Sequence, residues 1–318
     1  MNKYIATTKP KKVICKTHED WLSNRTGLGS SEIATVVGLN AYETKYQLWL
    51  RKTGQTPPKQ ESFLMKAGHY LEDAVAKFYE DESGRKVIAR SSAEDIYIHP
   101  DFDWARVSPD RLFWLDSRRS GDNKGILECK TTQFEIDPDQ LPPYWFTQVQ
   151  YQLGVMGRDH ASLAWLSRGR TFDYRDIDFA PDYFVWLMEE GEKFMIENVQ
   201  GGVEPPLTTA EDVVTKYAVH APGTFVEADA EIAAVIERLK EVKAQAKELD
   251  LVKEDLESRV KLAIGEAESL NYQGAVLATF KAPKPGKTFD KKALEKDSPE
   301  IYNKYMIESQ GARRLLIK

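Results

Sequence analysis

The stretch Val107–Thr131, VSPDRLFWLDSRRSGDNKGILECKT, contains two short apolar segments that carry acidic residues and are joined by a polar turn. A strand over the second segment would direct Glu128 and Lys130 to one face and Cys129 to the other. Asp110 follows a Ser-Pro pair, at which regular strand pairing bends or ends. If the two segments pair as a hairpin, Asp110 approaches Glu128. The sequence therefore predicts two carboxylates and an ammonium in one site, which suits a hard divalent cation with a water beside it.

The same pattern of two acids and a lysine also occurs in ordinary solvated hairpins, so both interpretations stay open at this point. A further carboxylate, Glu72, falls inside the apolar stripe of a helix predicted over residues 60–82, four residues after Gly68 and three before Val75. A carboxylate on a core-facing stripe is unfavourable unless it is paired or binds a cation. Glu72 therefore either joins the site or lies at the edge of the stripe, in solvent or paired with Lys or Arg.

The rest of the chain mixes helical and strand-like periodicity. Ser30 or Ser31 is expected to cap one helix, Gly38 to end it, and Thr44 to cap the next. The predicted helices cover residues 30–37, 44–53, 60–82, 142–157, 180–198 and 227–262. Short strands are predicted over residues 87–88, 96–98, 162–166, 172–177 and 275–280, in addition to the acidic hairpin.

Composition shifts divide the chain into four regions. Residues 1–16 are rich in lysine and are expected to form a flexible basic arm, and residues 17–202 carry the acidic hairpin. Residues 203–226, with Pro, Gly and Thr, are expected to be a linker. Residues 227–318 begin with apolar residues near heptad spacing and end in a small strand and helix tail. The long helix is expected to form a coiled-coil seam or to pack on its own tail.

Composition and charge limit the class of protein. The 318 residues are 42% hydrophobic and 30% charged, with no apolar run long enough for a membrane span and no signal-peptide core near the start. Cys15 and Cys129 form neither a disulfide framework nor a zinc-site spacing, so a reducing cytoplasm is expected. The net charge of −6 argues against a non-specific nucleic-acid coating protein. It leaves room for a nuclease, because a local basic groove can still attract DNA.

Five motifs follow one another along the chain. They are Arg25 with Gly29-Ser30-Ser31-Glu32, Gly68-x3-Glu72, Ser108-Pro109-Asp110, Glu128-Cys129-Lys130 and Gln148-Val149-Gln150-Tyr151. In this order they resemble the YqaJ-like viral recombinase family, the phage-type recombination exonucleases that include bacteriophage lambda exonuclease, over about residues 21–200. The resemblance implies an α/β (α+β) fold with a PD-(D/E)XK restriction-endonuclease-like core, a central mixed sheet flanked by helices. Residues 17–202 would be this nuclease domain, with the long C-terminal helix as an appendage.

The resemblance also implies a metal site. Asp110 and Glu128 correspond to Mg2+ ligands, the backbone carbonyl of Cys129 to a third ligand, and Glu72 to a further one. One or two ions would bind, with Mn2+ as a possible substitute. Such ions supply the activated water and the charge neutralisation that phosphodiester hydrolysis requires.

The remaining family positions correspond to the reacting groups and to a DNA-end pocket. Lys130 matches the catalytic lysine, with a pKa lowered by the nearby metal charge, and Gln148 completes the catalytic set. Arg25 and Ser31 resemble the pocket for a terminal 5′-phosphate, since a guanidinium and a hydroxyl near a helix start suit that anion. His69 is expected to be isolated and not a ligand.

By resemblance, the chain is expected to be a 5′→3′ exonuclease on linear double-stranded DNA in the cytoplasm of a bacterial host, encoded by a phage or prophage. It would leave 3′ single strands for a single-strand annealing protein and form a trimeric ring. The alternatives are a non-catalytic DNA- or partner-binding scaffold and a nuclease of different polarity, such as an endonuclease or a Cas4-like end processor. Two cysteines are too few for the iron–sulfur cluster of the latter. Residues 227–318 depart from lambda exonuclease and are expected to mediate oligomerisation, packing, or contact with DNA or the annealing partner.

Overall fold

A computed structural model of the chain describes two compact units, residues 1–215 and 216–318. The described residues are 2–24, 26–57, 62–89, 94–284, 286–307, 311 and 313–318. Among them, no helix combines the length and the apolar character that a membrane span requires.

The first unit contains eight strands and seven helices among its described residues. The strands are β1 (Lys11–Cys15), β2 (Val87–Ile88), β3 (Glu94–Ile98), β4 (Arg106–Val107), β5 (Arg111–Trp114), β6 (Lys124–Thr132), β7 (His160–Ser167) and β8 (Thr171–Asp178). The helices are α1 (His18–Asn24), α2 (Ser30–Val36), α3 (Lys45–Lys52), α4 (Phe63–Ser83), α5 (Pro143–Met156), α6 (Pro181–Lys193) and α7 (Ala210–Lys216). A π-helical segment, Phe194–Gln200, continues α6.

The main sheet has the strand order β2-β5-β6-β7-β8. Only β6 and β7 are parallel in it, and α5 makes the crossover between them, as a parallel pair requires. On one face, Ile126 of β6 packs with Val149 and other residues of α5 and α6. On the other face, Leu127 and Cys129 pack with Val75 and the rest of the buried side of α4. The predicted α/β fold, a central mixed sheet flanked by helices, is confirmed.

Strand β6 shows the alternation on which the site prediction depends. Leu127 and Cys129 lie in the cluster under α4, so Glu128 and Lys130 face the opposite side, toward α5. The predicted helix after the hairpin is confirmed as α5, which begins at prolines and ends at Gly157 in a left-handed conformation. At Gly154 a Cβ atom would lie 2.2 Å from the Phe184 ring, so glycine permits the close packing of α6 on α5.

Two predicted features of the helices are wrong. Gly29 caps α2, and Ser30 begins the helix rather than capping it, because the Glu32 side chain accepts a hydrogen bond from the Gly29 amide instead. In α4 the predicted stripe is buried only toward its C-terminal half. Phe63 and Leu64 are 83% and 76% exposed, and the buried residues of the helix are Val75, Ala76 and Tyr79.

The basic N-terminal segment also differs from the expected flexible arm. Strand β1 pairs with β3 in a second antiparallel sheet of order β1-β3-β4, with Val13 opposite Ile96. Cys15 at its end is fully buried, and Tyr4 is buried against the main core. The lysines of this segment lie on its exposed side, which is why composition alone suggested a solvated arm.

The second unit consists of α8 (Ala230–Ile264), the hairpin of β9 (Ser269–Tyr272) and β10 (Ala275–Thr279), α9 (Lys291–Asp297) and α10 (Pro299–Lys304). The Asp229 side chain caps α8 by accepting a hydrogen bond from the Ile232 amide at 2.8 Å. Gln273 and Gly274, both with positive φ, form the two-residue hairpin turn. The predicted long helix over residues 227–262 is confirmed.

Candidate functional site

A cavity of about 530 Å³ in the first unit collects the residues that the sequence singled out. Its wall is formed by the start of α2, the middle of α4, the segment before β5, the C-terminal half of β6, and α5. The predicted site residues in its lining are Ser31, Glu72, Asp110, Glu128, Cys129, Lys130 and Gln148. Arg25, the remaining predicted site residue, lies outside the residues that the structure describes.

The hairpin brings the first acid to the second strand. The pairing of β5 with β6 ends at Arg111 opposite Leu127, so Asp110 lies just beyond the last paired position. There the Cys129 amide donates a hydrogen bond to Asp110 Oδ2 at 2.7 Å. The predicted approach of Asp110 to the strand that carries Glu128 is thus confirmed.

Glu128, Lys130 and Gln148 form a compact hydrogen-bonded group. Glu128 is only 2% exposed. Its Oε1 accepts from Lys130 Nζ at 2.7 Å and from Gln148 Nε2 at 2.5 Å, and Lys130 Nζ also donates to Gln148 Oε1 at 2.9 Å. The prediction that Glu128 and Lys130 share one face is confirmed, and α5 supplies the amide that holds both.

A second glutamine of α5, Gln152, belongs to this group, although it was not among the predicted site residues. Gln152 is fully buried, and its Nε2 donates to Glu128 Oε2 at 2.8 Å. Its Oε1 has no hydrogen-bond partner among the described residues. Gln152 follows Gln148 by four residues, which places both on one face of a helix. This four-residue spacing is the sequence signal that could have identified Gln152 as part of the site.

Glu72 reaches the cavity from α4 and is paired there. Its Oε1 lies 3.0 Å from His69 Nδ1, and its Oε2 lies 3.7 Å from Arg111 Nη1. Arg111 also pairs with Asp73 and donates to the Asp110 carbonyl at 2.5 Å. The two alternatives for Glu72 are therefore both realised, because it lines the site and is paired with an arginine. The expectation that His69 is isolated is wrong.

The electrostatics of the cavity are dominated by its acids. Burial, and then the charges of Glu128 and Glu72, raise the pKa of Asp110 well above its ordinary value of 3.8. Burial lowers the pKa of Lys130, but the Glu128 and Asp110 carboxylates outweigh that effect, so its pKa is raised overall. This raised pKa belongs to the protein chain alone, and the lowered pKa expected beside a metal charge stays a prediction. The raised pKa of Asp110 shows that the cavity favours additional positive charge.

The donor set fits a hard divalent cation. Among the described residues, no group of three or more His, Cys, Asp or Glu side chains is arranged to hold a metal ion. A cation here would instead be held by Asp110, Glu128 and the Cys129 carbonyl, together with water. A strand residue directs its amide and carbonyl to the same edge, and the Cys129 amide faces Asp110. Mg2+ takes oxygen ligands and retains several waters, which matches this small set.

A buried ion-pair network holds the loop beside the cavity. Glu32 Oε2 accepts from the Gly29 amide at 2.8 Å and pairs with Lys52 Nζ at 2.7 Å, while its Oε1 pairs with Arg51 at 2.8 Å. Lys52 Nζ also donates to the Gly27 carbonyl at 2.5 Å. The network fixes the turn before α2 and thereby places Ser31 at the cavity. It explains why the Gly-Ser-Ser-Glu motif ends in an acid.

Comparisons with known proteins identify the family of the chain. The family model described as YqaJ-like viral recombinase domain matches residues 20–159, which include the hairpin and both glutamines of α5. Uncharacterized protein YqaJ of Bacillus subtilis (strain 168) is 30% identical over 323 residues, which cover 96% of this chain and 98% of that protein.

Two solved structures are also similar. LHK-Exo, an alkaline exonuclease from Laribacter hongkongensis, is 20% identical with a TM-score of 0.45, covering 58% of this chain and 93% of that chain. A phage related exonuclease from Haemophilus somnus 129PT is 9% identical with a TM-score of 0.40, covering 55% of this chain and 94% of that chain. The full-length similarity to the Bacillus protein and the family match together show that the chain belongs to the YqaJ-like viral recombinase family.

Proposed function

We propose that this protein is a Mg2+-dependent deoxyribonuclease that degrades linear double-stranded DNA as a 5′→3′ exonuclease. The observation that carries the proposal is the buried group of Glu128, Lys130 and Gln148 beside Asp110 in an open cavity. A binding scaffold has no physical need for an acid with a strongly raised pKa next to a second buried acid, since both reduce the stability of the fold. Membership of a viral recombinase family supports DNA as the substrate.

The chain's own residues have separate tasks in this reaction. Asp110, Glu128 and the Cys129 carbonyl would hold Mg2+, which when bound neutralises phosphate charge and lowers the pKa of a coordinated water. Lys130 is held by Glu128 and Gln148, so it is placed to orient the attacking water and to stabilise negative charge on the phosphate. Gln148 and Gln152 fix the Glu128 carboxylate from α5.

The polarity and the partners of the reaction belong to the same proposal. Ser31 lies in the cavity lining, and together with Arg25 it would hold a terminal 5′-phosphate. Digestion from that end leaves 3′ single strands, the substrate of a single-strand annealing protein. A trimeric ring and a bacterial host cytoplasm follow from the same family resemblance.

The test is digestion of linear duplex DNA labelled at one 5′ or one 3′ end, with Mg2+, with Mn2+, or with EDTA. We expect the 5′-labelled strand to lose its label first, and no digestion in EDTA. Glu128→Gln keeps the shape of the side chain but removes its charge, and should lower the rate by about 10²–10³-fold. Glu135→Gln is the matched control, because Glu135 is half-exposed and pairs only loosely with Arg168 at 3.6 Å.

Each other outcome has a distinct meaning. Early loss of a 3′ label would indicate the opposite polarity, and internal cuts would indicate an endonuclease. Binding of duplex without any digestion would support the scaffold alternative. Wild-type digestion by Glu128→Gln would contradict the assignment of this cavity as the active site.

A further inference from the structure

Helix α8 of the second unit carries a strict heptad pattern. Its 35 residues correspond to a rod about 50 Å long. Steps of three and four residues alternate without a break along one face: Ile232, Val235, Leu239, Val242, Ala246, Leu249, Lys253, Leu256, Val260 and Ala263. All of these are apolar except Lys253. This 3.5-residue period is the pattern with which helices wind around one another in left-handed coiled coils.

This heptad face is uncovered in the described part of the second unit. Leu249 is 69% exposed, and Ile264 at the last turn is the only buried residue described in α8. Toward its C-terminal half the face forms one wall of an apolar groove of about 510 Å³, and Phe280 after β10 contributes the other wall. A long helix is stabilised mainly by packing of its apolar side, so the pattern requires a partner helix.

We propose that the partner is α8 of a second copy of this chain, packed antiparallel with the twofold axis near Leu251 and Val252. Charge decides between the two orientations. In a parallel pair, Lys253 would face Lys253 of the second copy inside the seam, and Arg238 would lie beside Lys243 of the other helix. Both contacts are between like charges and are unfavourable.

In the antiparallel arrangement the charges are complementary. Lys243 lies across from Glu257 of the second copy, and Lys253 lies beside Asp250 of the second copy, where it offsets the approach of the two Asp250 carboxylates at the axis. The twofold axis makes each pair occur twice. Among the described residues, neither Lys243 nor Asp250 forms an ion pair within its own chain. Their charges are therefore available for the second helix.

The apolar groove fits the same arrangement. The N-terminal half of the second helix would run along the C-terminal half of the first, so that Val242 meets Val260 and Ile236 meets Ile264. Those residues would fill the groove beside Phe280. The twofold axis fills the equivalent groove on the other copy, so the seam covers the heptad face from Leu239 to Ala263.

The first test measures the mass of the full-length protein in solution by light scattering. Leu249→Glu/Leu256→Glu places two charges per chain in the seam and should halve the mass, whether the seam joins two single chains or two trimeric rings. The matched control is Leu251→Glu/Leu262→Glu, since these leucines are 59% and 84% exposed and lie outside the heptad positions. That control should keep the wild-type mass. Equal masses for all three proteins would overturn the proposal and leave the chain's own tail or another protein as the occupant.

The second test establishes orientation with a short bis-maleimide cross-linker on single-cysteine additions. Val252→Cys should cross-link to its own copy, because it lies near the twofold axis. Leu239→Cys alone should not, because the two copies of this residue would be about 35 Å apart. A mixture of Leu239→Cys with Ala263→Cys should cross-link between the two variants. Cross-linking of Leu239→Cys alone would overturn the antiparallel arrangement.

Two controls separate this proposal from the nuclease proposal. The native Cys15 and Cys129 are buried, so wild-type protein should not react with the cross-linker. Leu249→Glu/Leu256→Glu should digest a short linear duplex at the wild-type rate. Loss of assembly with intact digestion in this variant would support the coiled coil, whatever the polarity of the nuclease. Intact assembly in an inactive Glu128→Gln variant would show that the two proposals are independent.

Discussion

The cavity of the first unit buries charged side chains, whereas the heptad face of α8 in the second unit exposes apolar ones. In the cavity, the charged Glu128 and Lys130 lie inside the protein. On α8, apolar side chains such as Leu249 and Leu256 lie in solvent. Buried charge and exposed hydrocarbon are both unfavourable in an isolated chain. In each region the unfavourable group indicates the ligand that would stabilise it. Cations and phosphate are proposed for the cavity, and an apolar helix for α8.

The two regions also differ in how their side chains are held. In the cavity, Glu128 on a strand receives hydrogen bonds from its own strand and from α5, so the geometry is fixed by tertiary structure. On α8, the ion pairs of Arg238 with Glu241 and of Lys261 with Glu257 join neighbouring turns of one helix. Such pairs support a helix but fix no tertiary contact. Substitutions in the cavity should therefore change catalysis, and substitutions on α8 should change assembly.

The first prediction tests whether the cavity is held from α5. Gln152→Leu removes one hydrogen bond from Glu128 and should reduce the digestion rate by about 10–100-fold, as loss of a residue that orients a metal ligand does. Its melting temperature should also fall, because the buried Glu128 Oε2 loses this donor, so the rate is compared per folded molecule. The measurements are the single-turnover digestion rate and thermal unfolding. An unchanged rate would show that Glu128 needs no support from Gln152.

Gln150→Leu is the matched control on the same helix. Gln150 is equally buried, but it donates to the Asp178 carbonyl and accepts from the Ala180 amide, both at the start of α6. Its replacement leaves the Asp178 carbonyl and the Ala180 amide without these partners and should reduce the free energy of unfolding by about 1–3 kcal/mol. The digestion rate per folded molecule should stay at the wild-type value. The two glutamines thereby separate catalysis from stability.

The acidic hairpin was predictable because its contacts are local. A period of two residues places Glu128 and Lys130 on one face, and a short turn returns Asp110 to the same strand. The pairing of Glu72 with Arg111 was not predictable, because it depends on where α4 lies along the sheet. Gln152 is an intermediate case. Its spacing from Gln148 was visible in the sequence, but only the fold shows that this helix face meets Glu128.

The same distinction applies to the fold. Helices α5 and α8 were predicted because their apolar periodicity agrees with the residues that begin and end each helix. The burial of α4 was predicted for the whole helix, yet Phe63 and Leu64 are exposed, because periodicity identifies a face but not how much of it reaches the core. Strand β1 was missed because its lysines suggested a solvated segment, whereas its register opposite β3 depends on residues some eighty positions later.

A second prediction tests the statement that the cavity reduces stability in order to bind a cation. Asp110→Asn keeps an oxygen for the Cys129 amide and removes the charge that burial, Glu128 and Glu72 disfavour. It should abolish digestion and, in EDTA, raise the free energy of unfolding by about 1–2 kcal/mol, a shift in melting temperature of about 2–8 °C. A lower melting temperature than that of the wild type would contradict this account of the cavity.

The stability that Asp110→Asn gains over the wild type should increase with pH. The folded-state pKa of Asp110 is raised above its unfolded value, so the ionised form destabilises the fold at pH above that unfolded value of about 3.8. The advantage of Asp110→Asn should therefore be largest at pH 8 and smaller at pH 5. It should vanish once both states of Asp110 are protonated. An advantage that is independent of pH would assign the effect to packing rather than to charge.

The smallest expected effect tests the register of the proposed coiled coil on α8. Lys243→Glu would place like charges opposite Glu257 of the second copy at two equivalent positions. Each solvent-exposed pair contributes about 0.2–1 kcal/mol and two pairs are lost, so the dissociation constant of the seam should rise roughly twofold to thirtyfold in sedimentation equilibrium. Lys243→Glu/Glu257→Lys should recover part of this loss. The recovery is incomplete because Glu257 also pairs with Lys261 of its own helix at 3.2 Å. In a parallel pair these two positions never meet, so the second substitution would then weaken the dimer further instead of restoring it.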